Sequence, residues 1–476
     1  PVSVGVAVVL SDAEALADIT GQAAITAGGD FNLNANVSNS LTEKLTITSK
    51  KLVDLPPITK QKKPAQTGEQ PGVAGEFLVG LRPALRLVAL AADPPALGGE
   101  VIHENHLHRH AHVSQFDPVA AHLLGLPHEQ VAPGRRCRYG IVPARILEQA
   151  GKRFHVFDAV AADPPIEVVA SALETARQNG CTAVLALGGG SSLDAAKAVA
   201  VRMKHDVSLR EYGDGRPVKG PIAPLYAIPT TAGTGSEATR VAVITDAAKK
   251  EKMAIRGDHL TPLACALDPD MLVGIPARIA AETGIDALTH AIEAFVSRNA
   301  NTVTDVLALG AIEKIGLHLR RFVQDTTDKG AALEMLVASC LAGQAFTNAG
   351  LGLVHSIGEV LGSRYHTSHG LSCALYLPAT MAFNLPAAPE RFAKIARALG
   401  EDGKDLAPEE AGRRAVAAVE RLFEDLRLPR TYAAVGIDFQ LTPRMVEDIL
   451  PQFSTQCNPR KADADQIAAL FNAPMG

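Results

Sequence analysis

Four side chains in the second half of this chain have the types and spacing to hold a divalent cation. Asp286 and His290 lie four residues apart in a stretch with helical periodicity, so one helix face would carry both. His355 sits on a second helical stretch, opened by Gly350 and Gly352, with Glu359 one turn further on. His369 follows in the loop-like sequence YHTSHG (365–370). One carboxylate and three imidazoles suit Fe2+ or Zn2+, and such a site keeps net positive charge and an open position for a substrate oxygen. Each histidine alone has a duller reading, as a satisfied core or surface residue; the set gains meaning from what precedes it.

Two glycine-rich segments precede it. GGGSS (188–192) follows an apolar run and opens a helical stretch, which brings backbone N–H groups and a helix N-terminus to a phosphate. It is neither a GxGxxG fingerprint nor a Walker loop, and a plain tight turn has the same composition. PTTAGTGSE (229–237) follows a second apolar run and offers the hydroxyls of Thr230, Thr231, Thr234 and Ser236. Two such loops at the carboxyl ends of neighbouring strands would form a crevice for a dinucleotide.

The elements that must position these groups change in kind along the chain. Strand signals at 154–157, 183–187 and 225–228 alternate with helical stretches at 165–179 and 191–203, which argues for a parallel α/β sheet. Residues 146–151 read as a helix end. Beyond 275 the pattern is helical, over 276–297, 303–323, 330–346, 351–362, 387–399, 408–426, 442–452 and 463–471. The expected fold is therefore an α/β dinucleotide-binding domain (77–275, irregular in its first part) followed by an all-helical metal-binding and catalytic domain (276–476). Residues 1–76 read as a strand-like extension, with an alternating stretch at 31–37, and a proline- and lysine-bearing linker at 56–76. No fixed repeat period is visible.

Composition fits an enzyme of this size. At 476 residues the chain is too long for one ordinary domain, and 47% apolar residues allow a sizeable core. A net charge of −5, no basic stripe and no tryptophan argue against a nucleic-acid partner. No apolar run reaches the ~20 residues a membrane span needs. The closest, 77–92, is interrupted by Arg82 and Arg86. Six scattered cysteines without a CxxC pair read as reduced thiols of a cytoplasmic protein. The chain starts at Pro1 rather than Met, and its opening residues do not resemble a secretory signal.

Taken in order, these motifs resemble the iron-dependent (group III) alcohol dehydrogenase family. The matching segments are LGGGSSLDAAK (187–197), IPTTAGTGSEAT (228–239), TGIDALTHAIE (283–293), LVHS (353–356), His369-Gly370 and NPR (458–460), and the resemblance runs over 141–476. It implies that Asp286, His290, His355 and His369 are the metal ligands. It implies that Gly189, Gly190, Ser191 and Asp194 form the pyrophosphate loop and its support. Thr230, Thr231, Thr234 and Thr239 would form the second cofactor loop, with Lys252 a further cofactor contact. The implied reaction is hydride transfer between a small alcohol or aldehyde and NAD or NADP, with Fe2+ or Zn2+ as Lewis acid. A cytoplasmic homodimer is expected.

Two departures stand out. The family carries a histidine four residues after the third ligand, where this chain has Glu359; Glu359 or His366 is then the candidate catalytic proton carrier. The family's first strand, expected just before residue 141, is replaced by EQVAPGRRCRY (129–139), which suggests a fused, rearranged or frame-shifted beginning. The histidine tract at 103–112 reads as exposed chain rather than a metal site. The alternatives are a maleylacetate-reductase-like enzyme, a group without the metal set, or an impaired dehydrogenase body fused to an adhesin-like N-terminus.

Overall fold

The computed structural model describes residues 5–10, 87–89, 144, 146–149, 152–249 and 251–475. The alternating stretch at 31–37, the linker at 56–76, the histidine tract at 103–112 and the segment 129–139 lie outside the described residues, as does most of 77–92. In chain order the strands are β1 (Gly5–Leu10), β2 (Leu87–Ala89), β3 (Phe154–Val160), β4 (Ala183–Gly188), β5 (Leu225–Pro229), β6 (Val241–Asp246), β7 (Glu251–Arg256) and β8 (Ala264–Leu267). The helices of this part are α1 (Ile166–Gln178), α2 (Gly190–Lys204) and α3 (Leu209–Gly213). From Ala277 onward the described elements are all helical: α4 (Ala277–Val296), α5 (Thr302–Gln324), α6 (Lys329–Ala349), α7 (Leu353–Tyr365), α8 (His369–Asn384), α9 (Pro389–Ala398), α10 (Pro408–Asp425), α11 (Pro443–Ile449), α12 (Phe453–Cys457) and α13 (Ala464–Asn472), with short 3-10 turns between them.

The main sheet has the order β2-β8-β5-β4-β1-β3. Its centre is parallel: β4 pairs with β5, β5 with β8, and β8 with β2. AVLALG of β4 is buried at every residue, as a strand covered on both faces requires. The register Gly188↔Pro229 brings the carboxyl ends of β4 and β5 level, so both glycine-rich loops leave the sheet side by side.

The strand found wanting before residue 141 has a substitute. Gly5–Leu10 lies between β3 and β4 and pairs with both, but antiparallel, with Val6 opposite Leu187 and Leu10 opposite Ala183. The sheet is thus mixed rather than wholly parallel. β6 and β7 form a separate antiparallel hairpin that the strand–helix alternation did not disclose.

In the helical part, α4 is the central element. Sixteen of its residues, from Ala280 to Val296, are buried, so it is enclosed on all sides. Its alanines and Gly284 let α5, α6 and α8 approach closely. α6 is long and apolar enough to cross a membrane by length and composition, but it packs as a core helix against α4 and α5. α8 starts at His369, so this residue lies in the first turn of a helix rather than in the loop its sequence suggests. Its apolar residues show little helical alternation because most are buried, and Pro378 lies inside it. Among the described residues, Cys181, Cys265, Cys340, Cys373 and Cys457 form no disulfide, and Cys137 lies outside the described residues.

Candidate metal and dinucleotide site

A buried carboxylate inside a fully enclosed helix needs a partner. Asp286 on α4 is 2% exposed, and its Oδ1 has no hydrogen-bond donor. Three imidazole nitrogens converge on that oxygen: Nε2 of His369 at 3.4 Å, of His355 at 3.8 Å and of His290 at 3.9 Å. Ligand atoms about 2.1 Å from a common tetrahedral cation stand roughly 3.4 Å apart, so this spacing fits a shared ion. His355 Nε2 is likewise buried and without a partner. Two orphaned polar atoms facing one another across 3.8 Å are what a cation would satisfy.

Each imidazole is oriented from behind. His355 Nδ1 lies 2.6 Å from Glu293 Oε2, which it can meet as donor, leaving Nε2 toward Asp286. Glu293 also accepts from the backbone N–H groups of Gly352 (2.9 Å) and Val354 (2.7 Å), so the carboxylate of α4 caps the N-terminus of α7, where the helix dipole favours it. Asn458 accepts from the next N–H, that of Leu353, and exchanges hydrogen bonds with Asn384. This gives the closing Asn458-Pro459-Arg460 motif a concrete task. His290 Nδ1 stands 3.3 Å from the carbonyl oxygen of Gly233 in the second glycine-rich loop, and its ring stacks between Phe346 and His355 at 4.4 Å from each. His369 is placed by Ser368, whose hydroxyl donates to the buried Glu282 (2.6 Å), and by Gly370. A side chain at 370 would put Cβ 2.2 Å from the Glu282 carbonyl oxygen, so only glycine lets α8 start this close to α4.

The electrostatics fit a cation. Burial opposes ionisation of Asp286, but His290, His369 and His355 more than offset it and hold the carboxyl below its ordinary value. Burial pulls His290 down to about 3, although Asp286 opposes this. Burial also opposes charge on His355, yet Cys373 and Glu293 drive it well above the imidazole range: the pocket favours positive charge at that ring.

Glu293 and Cys373 are the residues that sequence reasoning missed. Glu293 extends the Asp286/His290 stripe by three residues, and Cys373 follows His369 by four, so the spacing that found the histidines contained both. Among the described residues, Asp286, His355, His369 and Cys373 form a group whose ligand atoms all lie within 4.8 Å of one another. Glu359 is exposed on α7, and His366 is exposed at its C-cap with a left-handed backbone (φ 54°).

The glycine-rich loops meet beside this cluster. Thr230 N–H donates to the Gly188 carbonyl at 2.9 Å, and Gly190 lies so close to Thr234 that a Cβ would come within 2.7 Å of its methyl. Gly189 is the N-cap of α2, and Gly190, Ser191, Thr230, Thr231 and Thr234 are all partly exposed around the crevice. Asp194 and Thr239 are bracing residues in this structure. Asp194 accepts from Ser236 Oγ (2.6 Å) and Val243 N–H (2.9 Å); Thr239 accepts from the fully buried Lys197 (2.9 Å). Burial lowers the Lys197 ammonium to about 8 although Asp194 and Glu237 oppose this. Lys252 is held by Asp163 at 2.7 Å, whose own N–H donates to Ser191 Oγ.

A dinucleotide crevice set against a carboxylate–imidazole cluster defines a metal-assisted, nicotinamide-linked oxidoreductase. Comparison with known proteins agrees. Residues 142–269 match the iron-containing alcohol dehydrogenase family, and 280–475 its C-terminal part. The NAD-dependent methanol dehydrogenase of Bacillus methanolicus is 38% identical over 328 residues, covering 69% of this chain and 86% of that protein. Lactaldehyde reductase of Escherichia coli (strain K12) is 37% identical over 332 residues, 68% and 85% of the two chains. The crystal structure of a 1,3-propanediol oxidoreductase superposes with a TM-score of 0.67 at 37% identity, covering 70% of this chain and 88% of that one. The chain belongs to the iron-containing alcohol dehydrogenase family and is a metal-dependent, NAD-linked oxidoreductase acting on CH–OH groups.

Proposed function

We propose that this chain interconverts a small alcohol and its aldehyde at a cation held by Asp286, His290, His355 and His369, with Fe2+ the first candidate and Zn2+ the second. Gly189, Gly190, Ser191, Thr230, Thr231 and Thr234 line the pyrophosphate of NAD or NADP, Asp194 and Thr239 brace the two loops, and Lys252 reaches the cofactor from β7. When bound, the cation supplies Lewis acidity to a substrate oxygen and the dinucleotide supplies the hydride carrier. The protein's own groups do the rest. Glu293 fixes the tautomer and direction of His355. His290 links the ligand cluster to the cofactor loop through Gly233. Phe346 covers the His290 ring. Glu359 lies one helical turn beyond His355 and is exposed where His355 is buried, so that face of α7 leads from the site to solvent; Glu359 carries the proton, with His366 as a second carrier. The working unit is a cytoplasmic homodimer, each chain divided between a dinucleotide domain to about 275 and a helical domain beyond it.

The carrying observation is the pair of orphaned buried atoms, Asp286 Oδ1 and His355 Nε2, beside a loop that the third imidazole touches. The test is NADH- and NADPH-linked reduction of short aldehydes by the protein as purified, after chelation, and after adding Fe2+ or Zn2+. Activity lost on chelation and restored by one of the ions is expected. Unchanged activity in metal-free protein would refute the reading.

A further inference from the structure

We propose that Cys373 is a direct ligand of the bound cation, so that this site carries a sulfur donor beside its carboxylate and imidazoles. The inference rests on the metal reading above and extends it to a residue that the sequence motifs did not include. His369 is the first residue of α8 and Cys373 the fifth, so the two side chains share one helix face. Side chains on a helix lean toward its N-terminus, which aims Sγ back at His369 and the α4 carboxylate. Cys373 is fully buried, and its Sγ lies 3.8 Å from His369 Nε2. Sulfur about 2.3 Å and nitrogen about 2.1 Å from one tetrahedral ion would stand roughly 3.6 Å apart, so the separation suits two ligands of one centre.

The independent observation is the unpartnered pair already described. Asp286 Oδ1 and His355 Nε2 are buried, lack hydrogen-bond partners, and fall with His369 and Cys373 in one group whose ligand atoms all lie within 4.8 Å of each other. His290 stands apart from that group, stacked face-on against His355. Sulfur therefore joins the four assigned donors as a fifth, with His290 Nε2 still 3.9 Å from Asp286 Oδ1. As the metal–sulfur bond forms, the thiol proton passes to solvent and the thiolate's electron pair fills the bond. A thiolate adds a second negative charge to that of Asp286, cancelling the charge of a divalent ion, and as a soft donor it favours Zn2+ and Fe2+ over Mg2+ or Mn2+.

The experiment is to strip the full-length protein with a chelator, reload it with Co2+ alone, and record bound cobalt and the absorption spectrum of wild type, Cys373→Ser and Cys373→Ala. A near-ultraviolet sulfur-to-cobalt charge-transfer band in wild type, lost in both variants while cobalt stays bound and circular dichroism is unchanged, is the expected result. One cobalt per chain in wild type without that band overturns the thiolate ligand and leaves the metal reading standing. A band that persists in Cys373→Ala overturns it too, since another thiol must then be the ligand. No cobalt bound by wild type removes the metal reading and this inference together. If both variants fail to fold, absence of the wild-type band still overturns the inference, and Cys373→Asn replaces them as the variant in which the band must be lost.

Discussion

Glu293 lies behind the ligand cluster, yet it determines how His355 faces Asp286. Its two oxygens accept from the imidazole and from two backbone N–H groups at the start of α7, so a change there disturbs a ligand and a helix terminus together. Glu293→Gln keeps the size but supplies one acceptor oxygen and an amide that points donors at donors. Metal affinity should fall about 10- to 100-fold, the usual effect of losing such a partner, with little change in far-ultraviolet circular dichroism. Equilibrium dialysis against a competing chelator measures this, and an unchanged affinity would contradict the assigned role. At this scale the sequence was informative where residue type is rare for its setting. Asp286, His290, His355 and His369 are polar groups in apolar helices, and their spacing was enough to single them out. Glu293 was passed over because it belongs to the same stripe without being a ligand, and Cys373 because cysteine in an apolar helix is ordinary core composition. The bracing duties of Asp194 and Thr239 depend on Ser236, Val243 and Lys197, whose positions only the folded chain defines.

The elements differ in how well their sequences announced them. β4, β5, α1 and α2 are bounded by glycine or proline, β4 as an uninterrupted apolar run and α1 with a clear helical period, and all four appear within a few residues of where they were expected. α8 was missed because burial removes the polar face that reveals a helix, and Pro378 sits within it. The β6–β7 hairpin was missed because a polar turn separates strands that alternate only weakly. That hairpin ends in a contact with a consequence for stability. Asp246 accepts from Arg210 Nε (2.6 Å) and Nη2 (3.1 Å), and from the backbone N–H groups of Ala248 and Lys249. The hydrogen bond from Arg210 leads the causes that hold its carboxyl at about 2. An unfolded aspartate titrates near roughly 3.9. The folded value is depressed, so the stabilisation is complete above about pH 4 and disappears as the pH falls toward 2. Asp246→Asn should therefore melt below wild type at pH 7, with the gap closing between pH 4 and pH 2. Thermal unfolding followed across that range tests this, and a gap that stays constant with pH would show that the carboxylate charge is irrelevant.

For the whole molecule, the unexpected feature is how the sheet is completed. The family match begins at residue 142, and the strand that should precede it is supplied by Gly5–Leu10, inserted antiparallel between β3 and β4. That was not legible, because pairing at a distance of some 150 residues leaves no local period, and a reversed strand breaks the parallel rule used to read the rest. β1 is also the only described strand that joins β3 to the sheet. Removing residues 1–10 should cost several ladder hydrogen bonds at about 1 kcal/mol each and lower Tm by roughly 10 °C. Faster amide exchange in β3 and β4 should accompany it; unchanged melting and exchange would mean the pairing contributes nothing in solution. The central claim concerns the cleft that this sheet and the helical part share, where His290 touches the cofactor loop and its neighbours converge on Asp286. It is tested most directly by titrating metal-free protein with Fe2+ or Zn2+ while measuring bound metal and NADH-linked aldehyde reduction on the same samples. The account predicts turnover that rises in proportion to bound metal and saturates at one ion per chain, and turnover that is independent of bound metal would contradict it.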